Sequence, residues 1–261
     1  MNILFTICGR AGSKGIKNKN ISSFLGYPLV YYTLSAVELF MKRNIKNYTR
    51  IDLAVNTDSE ALIELIKHTQ MSCIYIPREE DLATDTSSKI DVIRDTLDKA
   101  EQMEEVTYDY VIDLDITSPL RTVQNIEELI NKIKMNDNLD LVFSVTHSRR
   151  NPYFNMVMRS EGKIKKVINS NFTARQQAPE IYDMNASMYV YRNNFLLNTT
   201  NKGLFDGQID IIEMKDTAIL DIDHEEDLEL MQVIAQYFYE QYPAYACIRE
   251  HIENYNIRKE G

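Results

Sequence analysis

Arg10, Lys14, Lys17 and Lys19 fall within the eleven residues Arg10–Asn20, a stretch that holds no acidic side chain. Gly12 and Gly15 stand among them, and the apolar run Ile3-Leu4-Phe5-Thr6-Ile7 leads in from the N-terminal side. A strand that empties into a Gly-rich cationic loop suits a polyphosphate. Glycine lets backbone N–H groups approach the oxygens, while guanidinium and ammonium groups neutralise their charge. The chain as a whole carries a formal net charge of -10, so this basic cluster is a local device rather than general solvation. Neither G-x-x-x-x-G-K-[ST] nor G-x-G-x-x-G occurs here, which argues against a Walker NTPase, a kinase of that type and a dinucleotide fold.

Carboxylates supply a second chemistry. Asp221 and Asp223 are separated by one residue in Ile219-Leu220-Asp221-Ile222-Asp223. On a strand such a pair shares one face and could hold a divalent cation through oxygen. Equally, Asp223 could cap the helix that begins near Glu225, and spacing does not choose between the two. Asp113 and Asp115 repeat the same spacing nearer the phosphate loop, where they could form a second metal-side pair or face a substrate.

Those residues need a scaffold that brings them together. Strand-like runs at 3–7, 51–57, 73–77, 110–116 and 139–145 alternate with helical periodicity at about 28–42, 59–69, 89–104 and 124–135. Ile90, Ile93, Leu97 and Ala100 step along one helical stripe. Alternation of this kind predicts an α/β fold with a mostly parallel sheet covered on both faces, whose ligands sit beyond the carboxyl ends of the strands. Both the 8–20 loop and Asp113/Asp115 fall there. From about 149 the pattern changes, with a hairpin expected at Glu161-Gly162 and β-rich residues at Met188–Tyr191. The reading divides the chain into a 1–148 nucleotide-binding core, a 149–190 insertion and a 191–261 return to the core with C-terminal helices. The Tyr-rich tail, Tyr237 to Tyr255, matches nothing assigned.

Composition narrows the function classes. An acidic chain argues against a nucleic-acid or anionic-membrane surface. No apolar run approaches the roughly 18–20 residues of a membrane span, and no signal peptide is read at the N-terminus, so a cytoplasmic location is expected. Cys8, Cys73 and Cys247 lie far apart without a CxxC pair, as small hydrophobes in a reducing compartment. The four histidines form no dyad or ligand cluster.

The spacing Arg10-x-Gly12-Ser13-Lys14-Gly15-x-x-x-Lys19-Asn20 resembles the signature of the CMP-sialic acid synthetase family of cytidylyltransferases. Further blocks follow in family order over roughly residues 3–235: Asn56–Glu60, Arg78, Leu82–Ser88, Thr117–Arg121, Arg175–Gln177, Asn185–Tyr189 and Asp221–Asp223. Asp115 in Leu114–Ser118, together with Asn151–Asn155 and Tyr182–Ser187, looks most like the branch that activates N,N'-diacetyllegionaminic acid.

The resemblance implies a three-layer, Rossmann-like nucleotidyltransferase with a small β-rich dimerisation insertion. Its implied reaction joins CTP to an acidic nine-carbon sugar and releases pyrophosphate. CMP-N-acetylneuraminate or CMP-Kdo synthesis, or a catalytically silent sugar-binding subunit, are the alternatives. The nucleotide would be held by Arg10, Gly12, Ser13, Lys14, Lys19, Asn20, Arg78 and Ser88, and the sugar by Asp115, Arg175, Asn185 and Tyr189. Asp221 and Asp223 would bind Mg²⁺ and act in catalysis with Arg10 and Lys19. Lys17 matches no family position and reads as a solvated charge. Asn185-Ala186-Ser187 departs from the commoner Asn-Gly-Ala. Where sialic-acid enzymes resemble Leu-Gln-Pro-Thr-Ser, this chain has Asp115, a carboxylate that can only accept.

Overall fold

The computed structural model describes residues 1–12, 15–84, 87–198, 203–215 and 222–257. The elements run β1 (Asn2–Cys8), β2 (Ser23–Phe24), β3 (Tyr27–Pro28), α1 (Leu29–Asn44), β4 (Arg50–Thr57), α2 (Glu60–His68), β5 (Ile74–Pro77) and α3 (Lys89–Glu104). There follow β6 (Tyr110–Leu114), α4 (Val123–Met135), β7 (Leu141–His147), β8 (Val157–Ser160), β9 (Lys163–Lys166), β10 (Tyr182–Arg192), α5 (Asn193–Asn198), β11 (Ile209–Glu213), α6 (Glu225–Gln241) and α7 (Pro243–Ile257).

Seven strands form one sheet in the order β11-β7-β10-β6-β1-β4-β5, parallel except for β10. β1 lies inside this sheet and is apolar along nearly its whole length, as a strand covered on both faces must be. Alternation then sorts its side chains. Ile3, Phe5 and Ile7 enter the core shared with α1, α4, α6 and α7, whereas Leu4 joins Ile93, Leu97 and Ala100 of α3. Three layers therefore follow from two periodicities meeting at one sheet. The Tyr-rich tail belongs to the first layer: Phe238 and Tyr245 meet edge to face with centroids 4.8 Å apart, and Tyr255 is buried.

The expected 149–190 insertion does not stand apart to its end, because Tyr182–Arg192 is β10, paired antiparallel between β6 and β7 in the main sheet. What projects is the β8–β9 hairpin. Its turn residues Glu161 and Gly162 both have positive φ, 54° and 73°, the backbone a two-residue hairpin turn with right-handed strand twist requires.

β10 is itself irregular. Between the Met184–Val145 and Tyr189–Phe143 pairs it advances five residues while β7 moves two. Ala186 sits in this bulge at φ 50°, a conformation that costs a β-carbon roughly 1–2 kcal/mol. The commoner glycine at this place has a physical reason here. Ala186→Gly is expected to stabilise the fold by roughly 0.5–1 kcal/mol, after glycine's greater chain entropy is set against the relieved strain. A lowered melting temperature in that variant would contradict the strain argument.

Candidate active site

A cleft of about 400 Å³ opens at the carboxyl ends of the central strands, lined by Cys8, Arg10, Gly15, Lys19, Asn20, Arg78, Leu82, Thr84, Ser87, Lys89, Val92, Asp115, Thr117 and Asp223. Residues from four separate stretches of sequence thus share one concavity where the doubly covered sheet predicts a ligand.

Its first wall is the basic loop. Asp58, just beyond β4, accepts from the backbone N–H of Ala11 at 2.6 Å, so one carboxylate from the Asn56–Glu60 block fixes the start of the loop. Asn20 reaches back to the Arg10 carbonyl at 3.2 Å, and Arg10 donates to the Ala83 carbonyl at 3.4 Å. Gly12 has φ 74° and Asn18 φ 56°; both turn the chain so that Lys19 enters the cleft. Ser13 and Lys14 lie outside the described residues. Lys17 is exposed and absent from the cleft wall.

Arg78 follows β5 and is aimed by Asn56, whose side-chain oxygen and backbone carbonyl accept from Nε and Nη2 at 2.8 and 3.1 Å. Ser88 is the N-cap of α3 without a side-chain capping bond, and it is exposed. Its neighbours Ser87 and Lys89 line the cleft instead.

Asp221 lies outside the described residues. Asp223 is described and does not sit on a strand, so the same-face argument for the pair does not apply there. Nor is it the cap. His224 takes that place, and Asp227 accepts from the backbone N–H groups of both Asp223 and His224. The Asp223 carboxylate is two-thirds exposed toward the cleft and meets Lys19 Nζ at 3.1 Å. An exposed carboxylate facing a cationic loop is the oxygen donor Mg²⁺ prefers, its shell completed by water or a substrate's phosphate oxygens. The donor chemistry fits the ion.

The opposite wall was only half visible in the sequence. Lys89, the first residue of α3, places Nζ 2.9 Å from Asp113 Oδ2 and 2.9 Å from Asp115 Oδ2. Asp113 is fully buried on β6 and accepts from Thr6 Oγ1 of β1 at 2.9 Å. Asp115 Oδ1 accepts from both the backbone N–H and the hydroxyl of Thr117, at 2.8 and 2.7 Å. Asp113 and Asp115 are therefore joined by a lysine rather than arranged as a free carboxylate pair. Burial opposes ionisation of Asp115, but Lys89 and Thr117 outweigh it and hold the carboxyl well below the ordinary carboxylate range. Burial likewise works against the Lys89 charge, and the two carboxylates outweigh it.

The loop that carries Asp115 is anchored from below by Arg121, which is fully buried. Its guanidinium donates to the Asp115 and Ser118 carbonyls and to Thr33. Burial pulls its pKa down to about 10, with Asp115 and Asp113 working against the fall.

Of the expected sugar-side residues, Tyr189 lies closest to this wall, its ring centroid 5.6 Å from Lys89 Nζ. Asn185 is buried in the β10 bulge, where its Oδ1 accepts from Ser144 at 2.6 Å and its Nδ2 has no partner. Arg175 is not brought to the cleft. It lines a separate cavity of about 260 Å³ with His147, Ser148 and Asn151, and donates to the Ser148 carbonyl at 2.8 Å. Cys8 reaches the cleft wall, yet burial beside Asp113 pushes its thiol up to about 12, which leaves it protonated and not a nucleophile.

Asp58 and Lys89 are the residues that sequence reasoning passed over. A signal existed for Asp58, the acid nearest the loop in the Asn56–Glu60 block. None existed for Lys89, an ordinary cation at a helix start.

Lys19→Ala and Arg10→Ala are each expected to lower kcat/KM at least about 10-fold, since a charge-assisted hydrogen bond contributes roughly 1.5–3 kcal/mol. Lys17→Ala should leave it unchanged. Equal sensitivity of Lys17 and Lys19 in a pyrophosphate-release assay would overturn this reading of the loop.

The family profile of cytidylyltransferases matches residues 4–249. Among similar proteins, a post-translational flagellin modification protein B of Campylobacter coli is 36% identical over 233 residues, 89% of this chain and 94% of the relative. A CMP-N,N'-diacetyllegionaminic acid synthase of Campylobacter jejuni is 34% identical, again over 89% of this chain and 94% of its own length. A solved structure of CMP:2-keto-3-deoxy-manno-octonic acid synthetase with CTP superposes with a TM-score of 0.64 at 14% identity, covering 91% of this chain and 99% of that one. At that identity the superposition speaks for the fold alone.

Proposed function

The chain belongs to the cytidylyltransferase family, and on that footing we propose that it couples CTP to an acidic nonulosonic sugar, N,N'-diacetyllegionaminic acid in preference to N-acetylneuraminic acid or Kdo. The observation that carries the reading is that Arg10, Lys19 and Arg78 line one cleft together with Asp115 and Asp223. Attack of the anomeric hydroxyl on the α-phosphate with loss of pyrophosphate needs positioned cations more than a nucleophile. Arg10 and Lys19 hold the triphosphate and neutralise charge that grows on its oxygens. Asn20 and Arg78 are assigned to the nucleoside, with Asn56 keeping Arg78 in place. Mg²⁺ bound at Asp223, with Asp221, would polarise the phosphate and screen the leaving group.

Asp115 is a binding group in this scheme. A carboxyl held so far below its ordinary range is a poor proton acceptor. The test is release of pyrophosphate on incubation with CTP, Mg²⁺ and each of the three acids. No release with any of them would overturn the proposal, and equal kcat/KM for legionaminic and neuraminic acids would overturn the sugar preference alone. The legionaminate synthase relative favours that sugar.

We further propose a homodimer formed through the projecting hairpin. Val157 and Ile164 are 64% and 56% exposed and share one face of the hairpin by strand alternation, while Met158 is exposed on the other face. A lone two-stranded hairpin is marginal in water, so a second copy is the expected cover. Light scattering should give twice the chain mass, and Val157→Asp with Ile164→Asp should give one. A fully active monomeric parent would refute the arrangement. Among the described residues no helix is long and apolar enough to cross a membrane.

A further inference from the structure

The strand order divides the cleft. β4 and β5 lie on one side of β1 and carry Asn56 and the residue before Arg78; β6 and β10 lie on the other and carry Asp113 and Tyr189. Thr6, Asp113 and Tyr189 are register partners across β1, β6 and β10, so they form one row on the face that α3 covers. Lys89 stands over that row at the start of α3, and Asp115 lies one step beyond it toward the cleft.

Valence then fixes what this wall can offer. A lysine ammonium has three N–H donors, and Lys89 directs them at two carboxylates. Its contact with Asp113 is an ion pair without hydrogen-bond alignment, since Asp113 Oδ2 has no directed partner. At least one N–H therefore remains, on a side chain that is 37% exposed. A carboxylate has about four acceptor positions, and Asp115 uses three, two from Thr117 and one from Lys89. One donor and one acceptor are left, on atoms 2.9 Å apart. Two carboxylates and one ammonium also sum to a net negative charge, which disfavours an anionic oxygen here. A group that accepts and donates through a single neutral atom is a hydroxyl.

We propose that Lys89 is a specificity-determining residue that, with Asp115, clamps one hydroxyl of the acidic sugar, the hydroxyl accepting from Nζ and donating to Oδ2. The inference rests on the cytidylyltransferase reading and adds to it the chemistry of the second substrate's wall. The nucleotide also carries hydroxyls, on its ribose. The Lys89 ammonium is held by Asp113 of β6 and lies near the Tyr189 ring of β10, whereas Arg78 is held by Asn56 of β4, which assigns the clamp to the sugar.

Lys89→Gln tests it by steady-state kinetics in each substrate, and by calorimetric titration of N,N'-diacetyllegionaminic acid into enzyme saturated with a CTP analogue that has a methylene α,β-bridge. The expected result is a sugar KM raised about 10- to 100-fold, the loss of one charge-assisted hydrogen bond, with an unchanged KM for CTP and a matching loss of sugar affinity. Lys89→Gln also strips Asp113 of its counter-charge, so Lys89→Gln/Asp113→Asn is the second variant. A purely structural lysine predicts that Asp113→Asn restores the sugar KM; a clamp predicts that melting temperature recovers and sugar KM does not. A raised KM for CTP with an unchanged sugar KM would move the clamp to the ribose and overturn the proposal. Wild-type enzyme that binds CTP yet neither binds nor turns over any acidic sugar would overturn the function itself, an outcome visible before any variant is made.

Discussion

Asp223→Asn is expected to lower turnover at least about 100-fold, the scale of a metal's contribution to stabilising developing phosphoryl charge, with an unchanged melting temperature. The stability half of that expectation comes from exposure. The carboxylate is two-thirds exposed and its described partner is Lys19 at 3.1 Å, and a surface pair of this kind contributes at most about 1 kcal/mol. The amide has nearly the same volume, so packing of Ile222 beneath it is undisturbed. The activity half comes from charge: a neutral oxygen holds Mg²⁺ far less well than a carboxylate beside triphosphate. Asp221→Asn should behave alike if the two share the ion. Titration of MgCl₂ against pyrophosphate release is the direct check. Near wild-type rates at millimolar Mg²⁺ in both variants would remove the metal from this segment.

Much of the scaffold could be read beforehand because its signals are local. The α3 span was expected at 89–104 and the structure has Lys89–Glu104; a stripe of Ile90, Ile93, Leu97 and Ala100 needs no distant residue to be recognised. The turn at Glu161-Gly162 is equally local. β6 shows where local signals end. The apolar run suggested a strand to 116, but it stops at Leu114 because the Asp115 side chain takes the backbone N–H of Thr117 and turns the chain.

Partners distant in sequence were not legible. Nothing in Tyr182–Arg192 shows that it inserts antiparallel between β6 and β7, since its alternation fits an edge hairpin as well. A buried Arg121 reads as a surface cation until the carbonyls of Asp115 and Ser118 are seen around it. Arg175, which motif order placed on the sugar, lies in this chain in its own cavity beside Ser148.

Gly15→Ala is expected to cost activity about as much as losing a charged group, although it removes none. A β-carbon at Gly15 would lie 1.9 Å from the Asp223 carbonyl oxygen, well inside contact distance. Backbone presses on backbone there, so no flexible side chain can yield, and the basic loop and the Asp223 segment must part. The two bring opposite charges into one cleft, Lys19 from the loop and Asp223 from the segment, 3.1 Å apart. Displacement of reacting groups by about 1 Å costs on the order of 100-fold in rate, and kcat/KM should fall by that factor.

Gly26 supplies the control. It has positive φ, 90°, in the turn between β2 and β3, and a β-carbon there meets nothing within 4 Å. Gly26→Ala should therefore cost only backbone strain, roughly 1 kcal/mol, and leave kcat/KM intact. Strain and collision are thereby separated: Gly26→Ala lowers the melting temperature without touching rate, while Gly15→Ala lowers rate through the site it holds together. Wild-type kcat/KM in Gly15→Ala would show that the loop and the Asp223 segment are not packed against each other in the working enzyme.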